Sequence, residues 1–138
     1  STEVTGASSK VLPEVFITGL TEPVVGREYL LSKKKSAIGR SPLNDIIVRS
    51  TSVSSQHAEI KFERGEWILY DRDSSNGTYL NGERVADAVL EPGDIIAFGS
   101  TEFEFDAVGR LSFIVPGHDV EFVAEGWLSR FVIIFRDS

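Results

Sequence analysis

Short runs of alternating apolar and polar residues, separated by turn residues, fill the chain from residue 14 to residue 106. In Thr101–Asp106 the two phenylalanines take alternate positions and share one face, while the acidic residues share the other. This alternation is the period of a half-buried β-strand. The strands that we predict lie near 14–18, 27–31, 35–39, 46–48, 57–63, 66–72, 78–80, 88–90, 94–98 and 101–106.

Glycine-containing pairs separate these strands. Arg64–Gly65, Asn76–Gly77 and Asn81–Gly82 each predict a tight hairpin, because glycine readily adopts the positive φ that such turns need. Pro92–Gly93 predicts a further turn, and no window has the pattern of a capped amphipathic helix. Many short strands at this spacing predict an all-β protein folded as a β-sandwich, with its connections clustered at the two ends.

The chain divides into three parts by composition. Residues 1–13 predict a flexible tail, because they are largely small or polar and lack periodicity. The folded domain is expected at 14–108, and 109–138 predicts either a β-rich extension or the start of a truncated neighbouring domain. The apolar runs of this last part are Leu111–Val115, Val120–Ala124 and Trp127–Phe135, with turns expected at Pro116–His118 and Glu125–Gly126. With no methionine in the chain, we expect a fragment or a processed product.

Composition excludes several kinds of site. The chain has no cysteine, so disulfides and thiolate chemistry are excluded, and its two histidines, His57 and His118, are too few for a histidine-rich metal site. We expect no metal and no cofactor. The net charge of −7 argues against binding to nucleic acid or to an anionic membrane. Residues 27–49, however, hold six basic and two acidic side chains, which suits a small anionic ligand.

Four polar motifs stand out, three of them at strand ends, where the loops of a rigid sandwich carry binding groups. They are Ile38–Arg40, Ser54–His57, Asp71–Thr78 and Asn81–Gly82. A guanidinium with O–H and N–H donors nearby matches the three acceptor oxygens of a phosphate, and an asparagine amide can hold a peptide main chain. Taken singly, each motif also has an ordinary structural interpretation, as a surface arginine, a turn hydroxyl or a loop-holding histidine.

Their order and spacing are more specific than any one of them. The string runs through Gly39–Arg40, Asn44–Ile46, Val53–Ala58, Trp67, Asp71, Ser74–Thr78, Asn81–Gly82, Leu90–Asp94 and Phe98–Gly99. Over residues 14–106 it resembles the forkhead-associated (FHA) family. The resemblance implies a β-sandwich of about eleven strands and the recognition of phosphothreonine in an extended peptide of a partner protein.

The resemblance also implies a role for each matching residue. Arg40 and Ser54 are expected to bind the phosphate. Ser55 is expected to contribute, although relatives often have a basic or polar residue at its position. Ser75 and Asn76 are expected to lie against the peptide, with Asn76 holding its main chain. The residues expected to support the binding loops are Gly39, His57, Gly77, Thr78, Asn81 and Gly82.

The same resemblance predicts a signalling adaptor that is not an enzyme and that acts inside the cell, in the cytoplasm or the nucleus. Residue preference beyond the phosphothreonine would be set by loops 41–52 and 72–75, where Arg72 would favour an acidic residue.

Three alternatives stay open. A member of this family can bind partners without phosphate or associate with itself, here through the apolar segment 109–138. Ser54, His57 and Asp71 supply the residue types of a hydrolase, but no G-x-S-x-G motif accompanies them and a triad is recognised by its geometry. Phosphorylated Thr2 or Thr5 could bind the pocket of the same chain, helped by a high effective concentration.

Overall fold

The structure, a computed structural model, describes residues 10–11, 14–114, 117, 120–127 and 130–137. Its internal contacts divide the chain into two compact units, one formed by Val15–Asp106 and the other by Ser1–Glu14 with Ala107–Ser138. Within the described ranges there is no helix long and apolar enough to cross a membrane. All of the motifs singled out in the sequence belong to the unit Val15–Asp106.

The regular structure of the described residues consists of β-strands. They are β1 (Lys10–Val11), β2 (Glu14–Gly19), β3 (Glu28–Leu30), β4 (Lys35–Gly39), β5 (Ile46–Ile47), β6 (Ala58–Glu63), β7 (Glu66–Asp71), β8 (Thr78–Leu80), β9 (Glu83–Arg84), β10 (Asp87–Val89), β11 (Ile95–Phe98), β12 (Thr101–Ile114), β13 (Val120–Trp127) and β14 (Arg130–Asp137). Each predicted strand between residues 14 and 106 is present, with ends that differ by at most one residue except in β12, which was predicted to end at Asp106 and continues to Ile114.

Eleven of these strands, β2 to β12, pass through the unit Val15–Asp106 and form two sheets. One sheet has the order β3-β2-β12-β11-β8-β9, and the other has the order β10-β7-β6-β4-β5. The pair β4–β5 is parallel, whereas β4–β6 and β6–β7 are antiparallel. The prediction of an all-β sandwich with about eleven strands is confirmed.

The core of this unit is filled by side chains from both sheets. Those without any exposed surface include Ile17, Ile38, Ile60, Leu69, Ile96, Phe98 and Phe103. Phe98 packs edge-to-face on Phe103 and on the buried ring of His57, with 5.6 Å between the ring centroids in each pair. The apolar core therefore extends to the base of the loops that follow β4, β5 and β7.

Two of the three predicted hairpins are confirmed. Arg64 and Gly65 have φ of 51° and 80°, and Asn81 and Gly82 have φ of 50° and 87°, as a two-residue hairpin turn requires. The hairpin predicted at Asn76–Gly77 is wrong, because β7 ends at Asp71 and β8 begins at Thr78. Residues 72–77 form a longer loop, whose polar groups bond to one another and to neighbouring loops. The two-residue strand β9 was not predicted.

The unit that contains residues 107–138 has its own pattern of strands. From Val108 to Ile114, β12 pairs with β13, which pairs in turn with β14, while β1 pairs with β12 at Leu111 and Ser112. The turn predicted at Glu125–Gly126 is wrong. Both residues lie inside β13, where strands on either side complete the hydrogen-bonded ladder and so tolerate a glycine.

Some predictions fall on residues that the structure does not describe. In the predicted tail, residues 1–9, 12 and 13 lie outside the described residues, whereas Lys10 and Val11 form β1. Thr2 and Thr5, proposed above as intramolecular ligands, are among those outside. The side chains of β14 also lie outside the description, so self-association through this segment stays a prediction.

Candidate phosphopeptide-binding site

Three loops meet at one end of the unit Val15–Asp106. They are residues 40–45 after β4, residues 48–57 before β6, and residues 72–77 between β7 and β8. The amide of Arg40 donates to the carbonyl oxygen of Ser54 (2.9 Å), which joins the first two loops. The amide of Ser75 donates to Oγ of Ser54 (3.0 Å), which joins the last two. The structure thus brings together the residues expected to hold the phosphate and the peptide.

Gly39 allows the first two loops to approach each other. A Cβ at this position would lie 2.2 Å from the carbonyl oxygen of Ser55 and 2.8 Å from Nδ2 of Asn44. That Asn44 amide donates to the carbonyl oxygens of Ser41 (2.9 Å) and Ser55 (2.7 Å). Since a side chain at residue 39 would collide with backbone, the glycine is needed for loops 40–45 and 48–57 to lie this close.

Arg40 is exposed and is held from one edge only. Its Nε donates to the carbonyl oxygen of Val53 (3.0 Å), while its two terminal nitrogens make no hydrogen bond or ion pair with the described residues. A guanidinium has five N–H donors in a rigid planar fork. Fixing it through Nε leaves the outer part of the fork free to donate to an anion without a further loss of side-chain freedom.

Ser54 and Ser55 follow on the neighbouring loop. Because Oγ of Ser54 accepts the amide of Ser75, its hydroxyl proton stays available for a second partner. Ser55 is exposed, and its Oγ has no hydrogen bond within the described part of the chain. Its carbonyl oxygen accepts from the amide of Ser41 (3.2 Å), so its backbone contributes to the packing of the loops.

Asn76 lies at the exposed tip of loop 72–77. Its Nδ2 donates to the carbonyl oxygen of Ser52 (2.8 Å), and its Oδ1 accepts no hydrogen bond from any described residue. Ser52 is held in turn by a hydroxyl–hydroxyl bond to Ser100 (2.8 Å). Asn76 therefore presents an unused acceptor at the surface from an anchored side chain.

His57 holds the loops together from below. It is completely buried; its Nδ1 accepts the amide of Ser54 (3.1 Å), and its Nε2 donates to the carbonyl oxygen of Gly77 (2.9 Å). Both bonds require a neutral ring with its proton on Nε2. Burial lowers the pKa of His57 below its ordinary 6.5, outweighing the hydrogen bond to Gly77 and the charge of Asp71, which act to raise it.

These contacts do not form a hydrolase triad. Ser54 bonds to His57 through its backbone amide, not through its hydroxyl. The other ring nitrogen of His57 is taken by a backbone carbonyl, and the carboxylate of Asp71 bonds to Ser74 and Thr78 instead of to the ring. A nucleophile, a base and an orienting acid are therefore not connected in the way that a triad requires.

Asp71 and Ser74 were assigned no role in binding from the sequence, although both lie in the recognised motif. The carboxylate of Asp71 accepts from Oγ of Ser74 (2.5 Å), from Oγ1 of the buried Thr78 (2.6 Å) and from the amide of Ser74 (3.2 Å). Oγ of Ser74 accepts the amide of Gly77 (3.0 Å). The polar spacing of the motif is the only sequence signal for this network, because its partners depend on the shape of the loop.

Asn81 and Gly82 do not join the three loops. They form the hairpin at the other end of β8, where Nδ2 of Asn81 donates to Asp94 (3.0 Å) and its Oδ1 accepts the amide of Ile95 (2.9 Å). These bonds fix the β8–β9 hairpin against the start of β11. The side chain of Arg84, which follows that hairpin, lies beside loop 72–77, because a Cβ at Gly77 would be 2.9 Å from Nε of Arg84.

A pocket of about 240 Å³ adjoins the first two loops and is lined by Lys35, Ala37, Leu43, Asn44, Gln56, Ala58, Glu59 and Arg72. The side chain of Leu43 is 90% exposed at its rim. The guanidinium of Arg72 bonds to the buried carboxylate of Glu59, which also lies 3.5 Å from Nζ of Lys35. Arg72 is thus already paired, and its preference for an acidic residue of the peptide stays a prediction.

Comparison with known proteins agrees with this geometry. The family model described as FHA domain matches residues 37–99. The chain is 34% identical over 101 residues to the oxoglutarate dehydrogenase inhibitor of Corynebacterium efficiens, covering 73% of this chain and 71% of the relative. The chain belongs to the FHA-domain family. The prediction of that family is confirmed.

Two further similar proteins extend the comparison. The glycogen accumulation regulator GarA of Mycolicibacterium smegmatis is 40% identical over 83 residues, which cover 60% of this chain and 52% of the relative. The chain therefore spans about half the length of GarA. A solved FHA domain studied for phosphothreonine-dependent interactions is 30% identical, with a TM-score of 0.62, and the match covers 67% of this chain and 94% of that domain.

Proposed function

We propose that this FHA domain binds a phosphothreonine of a partner protein, with Arg40 and Ser54 holding the phosphate. Ser55 and Ser75 line the site, and Asn76 holds the peptide main chain. The observation that carries the proposal is the unused donor capacity at the meeting point of three loops. The outer nitrogens of Arg40 and the hydroxyl proton of Ser54 have no partner among the described residues, although both side chains are anchored.

The chemistry of these donors suits a dianion. Hydrogen bonds from a guanidinium to a phosphate oxygen are charge-assisted and are frequently paired, which favours phosphate over a neutral hydroxyl. Since the donors are already held by Val53 and Ser75, little rotamer freedom is lost on binding.

The role that we propose is regulation through docking, without catalysis. The names of the relatives, an inhibitor of oxoglutarate dehydrogenase and a regulator of glycogen accumulation, support action on a partner protein. The net charge of −7 supports a protein partner over nucleic acid or an anionic membrane. A protein phosphorylated on threonine inside the cell is the partner that fits this proposal.

The test is binding to a library of phosphothreonine peptides and to the same peptides without phosphate. Arg40→Ala should weaken binding to the selected peptide by roughly 100-fold or more, because each charge-assisted hydrogen bond contributes about 1.5–3 kcal/mol. The thermal unfolding midpoint should change little, since Arg40 is exposed. Isothermal titration calorimetry measures the affinity.

Arg27→Ala is the matched control, because Arg27 is an exposed arginine in the same basic segment but outside the three loops. The Arg27→Ala variant should bind the selected phosphothreonine peptide with the same affinity as the unaltered chain. The proposal fails if peptides bind equally well with and without phosphate, or if both arginine variants lose the same affinity.

A further inference from the structure

The carboxylate of Asp71 joins the two ends of loop 72–77. Asp71 is the last residue of β7, and Thr78, whose hydroxyl it accepts at 2.6 Å, is the first residue of β8. It also accepts both the hydroxyl and the amide of Ser74 (2.5 and 3.2 Å), inside the loop. A side chain at the beginning of the chain reversal thus receives two hydrogen bonds from its middle and one from its end.

A second set of bonds extends this hold to the binding residues. Oγ of Ser74 accepts the amide of Gly77 (3.0 Å), and the carbonyl oxygen of Gly77 accepts from His57. Ser75 and Asn76 lie between these two fixed points and are exposed. The ring of bonds through Asp71, Ser74 and Gly77 therefore leaves the two peptide-facing residues on its outer side.

The loop also contains backbone that needs external support. Asp73 has a φ of 57° and Gly77 a φ of 92°, so a non-glycine residue occupies the left-handed region within the loop. That conformation is costly unless surrounding contacts determine it. Bonds before and after Asp73 provide those contacts. The amide of Arg72 donates to the carbonyl oxygen of His57 (2.8 Å), and Ser74 donates to Asp71 through its amide and its hydroxyl.

The charge state of Asp71 suits this role. Burial acts to raise the pKa of its carboxyl, but the hydrogen bonds from Ser74 and Thr78 outweigh it, so the pKa lies below its ordinary 3.8. An ionised carboxylate only accepts hydrogen bonds, so near neutral pH all three donors around it point inwards. The hydroxyls of Ser74 and Thr78 are thus oriented by Asp71 and not by solvent.

We infer that Asp71 is a positioning residue, which holds loop 72–77 in the shape that presents Ser75 and Asn76 to the peptide. The inference rests on the proposed phosphopeptide binding. Asp71 itself does not contact the ligand. Its removal lowers the fraction of molecules whose loop is ready to bind, whereas the contacts made after binding are retained.

Loss of loop positioning and loss of a direct contact with the peptide change different rate constants of binding. If removal reduces the competent fraction to about one tenth, the apparent affinity falls about tenfold. We expect Asp71→Ala to lower the association rate constant by that factor, with an almost unchanged dissociation rate constant. Arg40→Ala, which removes a direct contact, should instead raise the dissociation rate constant. Surface plasmon resonance with the selected phosphothreonine peptide measures both constants.

Two buried serines provide a matched pair. Ser74→Ala removes the hydroxyl that links Asp71 to Gly77, and it should slow association as Asp71→Ala does. Ser36→Ala removes a buried hydroxyl in β4, outside the three loops, and it should leave the association rate constant unchanged. If Asp71→Ala fails to fold, the comparison of Ser74→Ala with Ser36→Ala decides the question.

A measurement without ligand keeps this inference separate from the proposed function. The amide of Gly77 should be protected from hydrogen exchange in the unaltered domain and should lose that protection in Asp71→Ala or Ser74→Ala. Unchanged protection together with unchanged association rates would overturn the inference. If the Gly77 amide loses protection in the variants as expected, but the domain binds peptides equally well with and without phosphate, only the proposed function is overturned.

Discussion

Two Asn–Gly pairs, five residues apart in the chain, have different structural roles. Asn81–Gly82 forms a hairpin turn in which both residues have positive φ, and both ends of the Asn81 amide bond to Asp94 and Ile95. At Asn76–Gly77 only the glycine has a positive φ, and the Asn76 amide uses its nitrogen while its oxygen stays open at the surface. The same dipeptide thus closes a turn at one place and leaves an open acceptor at the surface at the other.

The difference between the pairs lies in which partners the fold supplies. Asp94 and Ile95, where β11 begins, offer one acceptor and one donor, so both ends of the Asn81 amide are bonded. Asn76 meets only the carbonyl oxygen of Ser52. An amide with satisfied bonds contributes to stability, whereas one with spare capacity can contribute to binding.

The largest effect is expected at Asn81–Gly82, on the free energy of unfolding. Asn81→Ala removes two side-chain hydrogen bonds and places alanine at a φ of 50°, so the free energy of unfolding should fall by about 2–3 kcal/mol. Urea denaturation measures it, and phosphopeptide affinity should be retained.

Asn81→Gly divides this loss into its parts, because glycine tolerates the backbone conformation but also lacks the amide. It should recover the part of the loss that is due to φ. A domain with Asn81→Ala that stays as stable as the original but loses phosphopeptide affinity would reverse the roles assigned to the two pairs.

The second prediction concerns binding at the other pair. Asn76→Ala should weaken phosphopeptide binding by roughly 10-fold to 30-fold, because Oδ1 and the second N–H of Nδ2, which the bond to Ser52 leaves free, can each bond to the peptide main chain at about 1 kcal/mol. The free energy of unfolding should fall by less than for Asn81→Ala, since only the bond to Ser52 is lost. Calorimetric titration and urea denaturation of the same samples give both values. Equal affinities for the variant and the original would exclude Asn76 as a peptide ligand.

The smallest effect on stability is expected from lowering the pH. It should loosen the loop of Asn76–Gly77 but not the hairpin of Asn81–Gly82. Because the pKa of folded His57 lies below 6.5, the unfolded chain binds more protons as the pH falls through that value. The stabilisation from the neutral ring is present above pH 6.5 and is lost as the pH falls towards the folded pKa. The slope for one proton is at most about 1.4 kcal/mol per pH unit.

The measurement is urea denaturation at a series of pH values, in a His118→Gln background that leaves His57 as the only histidine. Amide exchange should accelerate at Gly77, whose carbonyl oxygen bonds to His57, before it does at Gly82. Stability that rises as the pH is lowered from 7 to 5.5 would contradict the assigned protonation state.

Alternation along the chain located the strands of the sandwich that present an apolar face to the core, but it missed β9, whose two residues are both exposed. It was insufficient at residues 125–126, where two hydrophilic or small residues continue β13 between two paired strands. The pairing of strands is a long-range property, so a glycine in a ladder and a glycine in a turn have the same local sequence.

The candidate site shows a similar division. The motif spacing indicated Arg40, Ser54, Ser75 and Asn76, and the fold brings these residues to one end of the sandwich. The motif spacing did not indicate that Arg72 is paired with Glu59. It also did not indicate that Asp71 and Ser74 are hydrogen-bonded to each other within the loop. These contacts connect strands that are distant in the sequence or depend on the direction in which a loop turns.

The sequence alone therefore determined the fold class, the family and the residue types available to bind a phosphate, because strand periodicity and motif spacing are local properties. The tertiary structure decided which of those polar groups are used within the fold and which stay available. That distinction depends on the neighbours that β-strand pairing and loop packing place around each group. For the two Asn–Gly pairs, it separates a turn whose amide is bonded at both ends from a loop whose amide oxygen stays open at the surface.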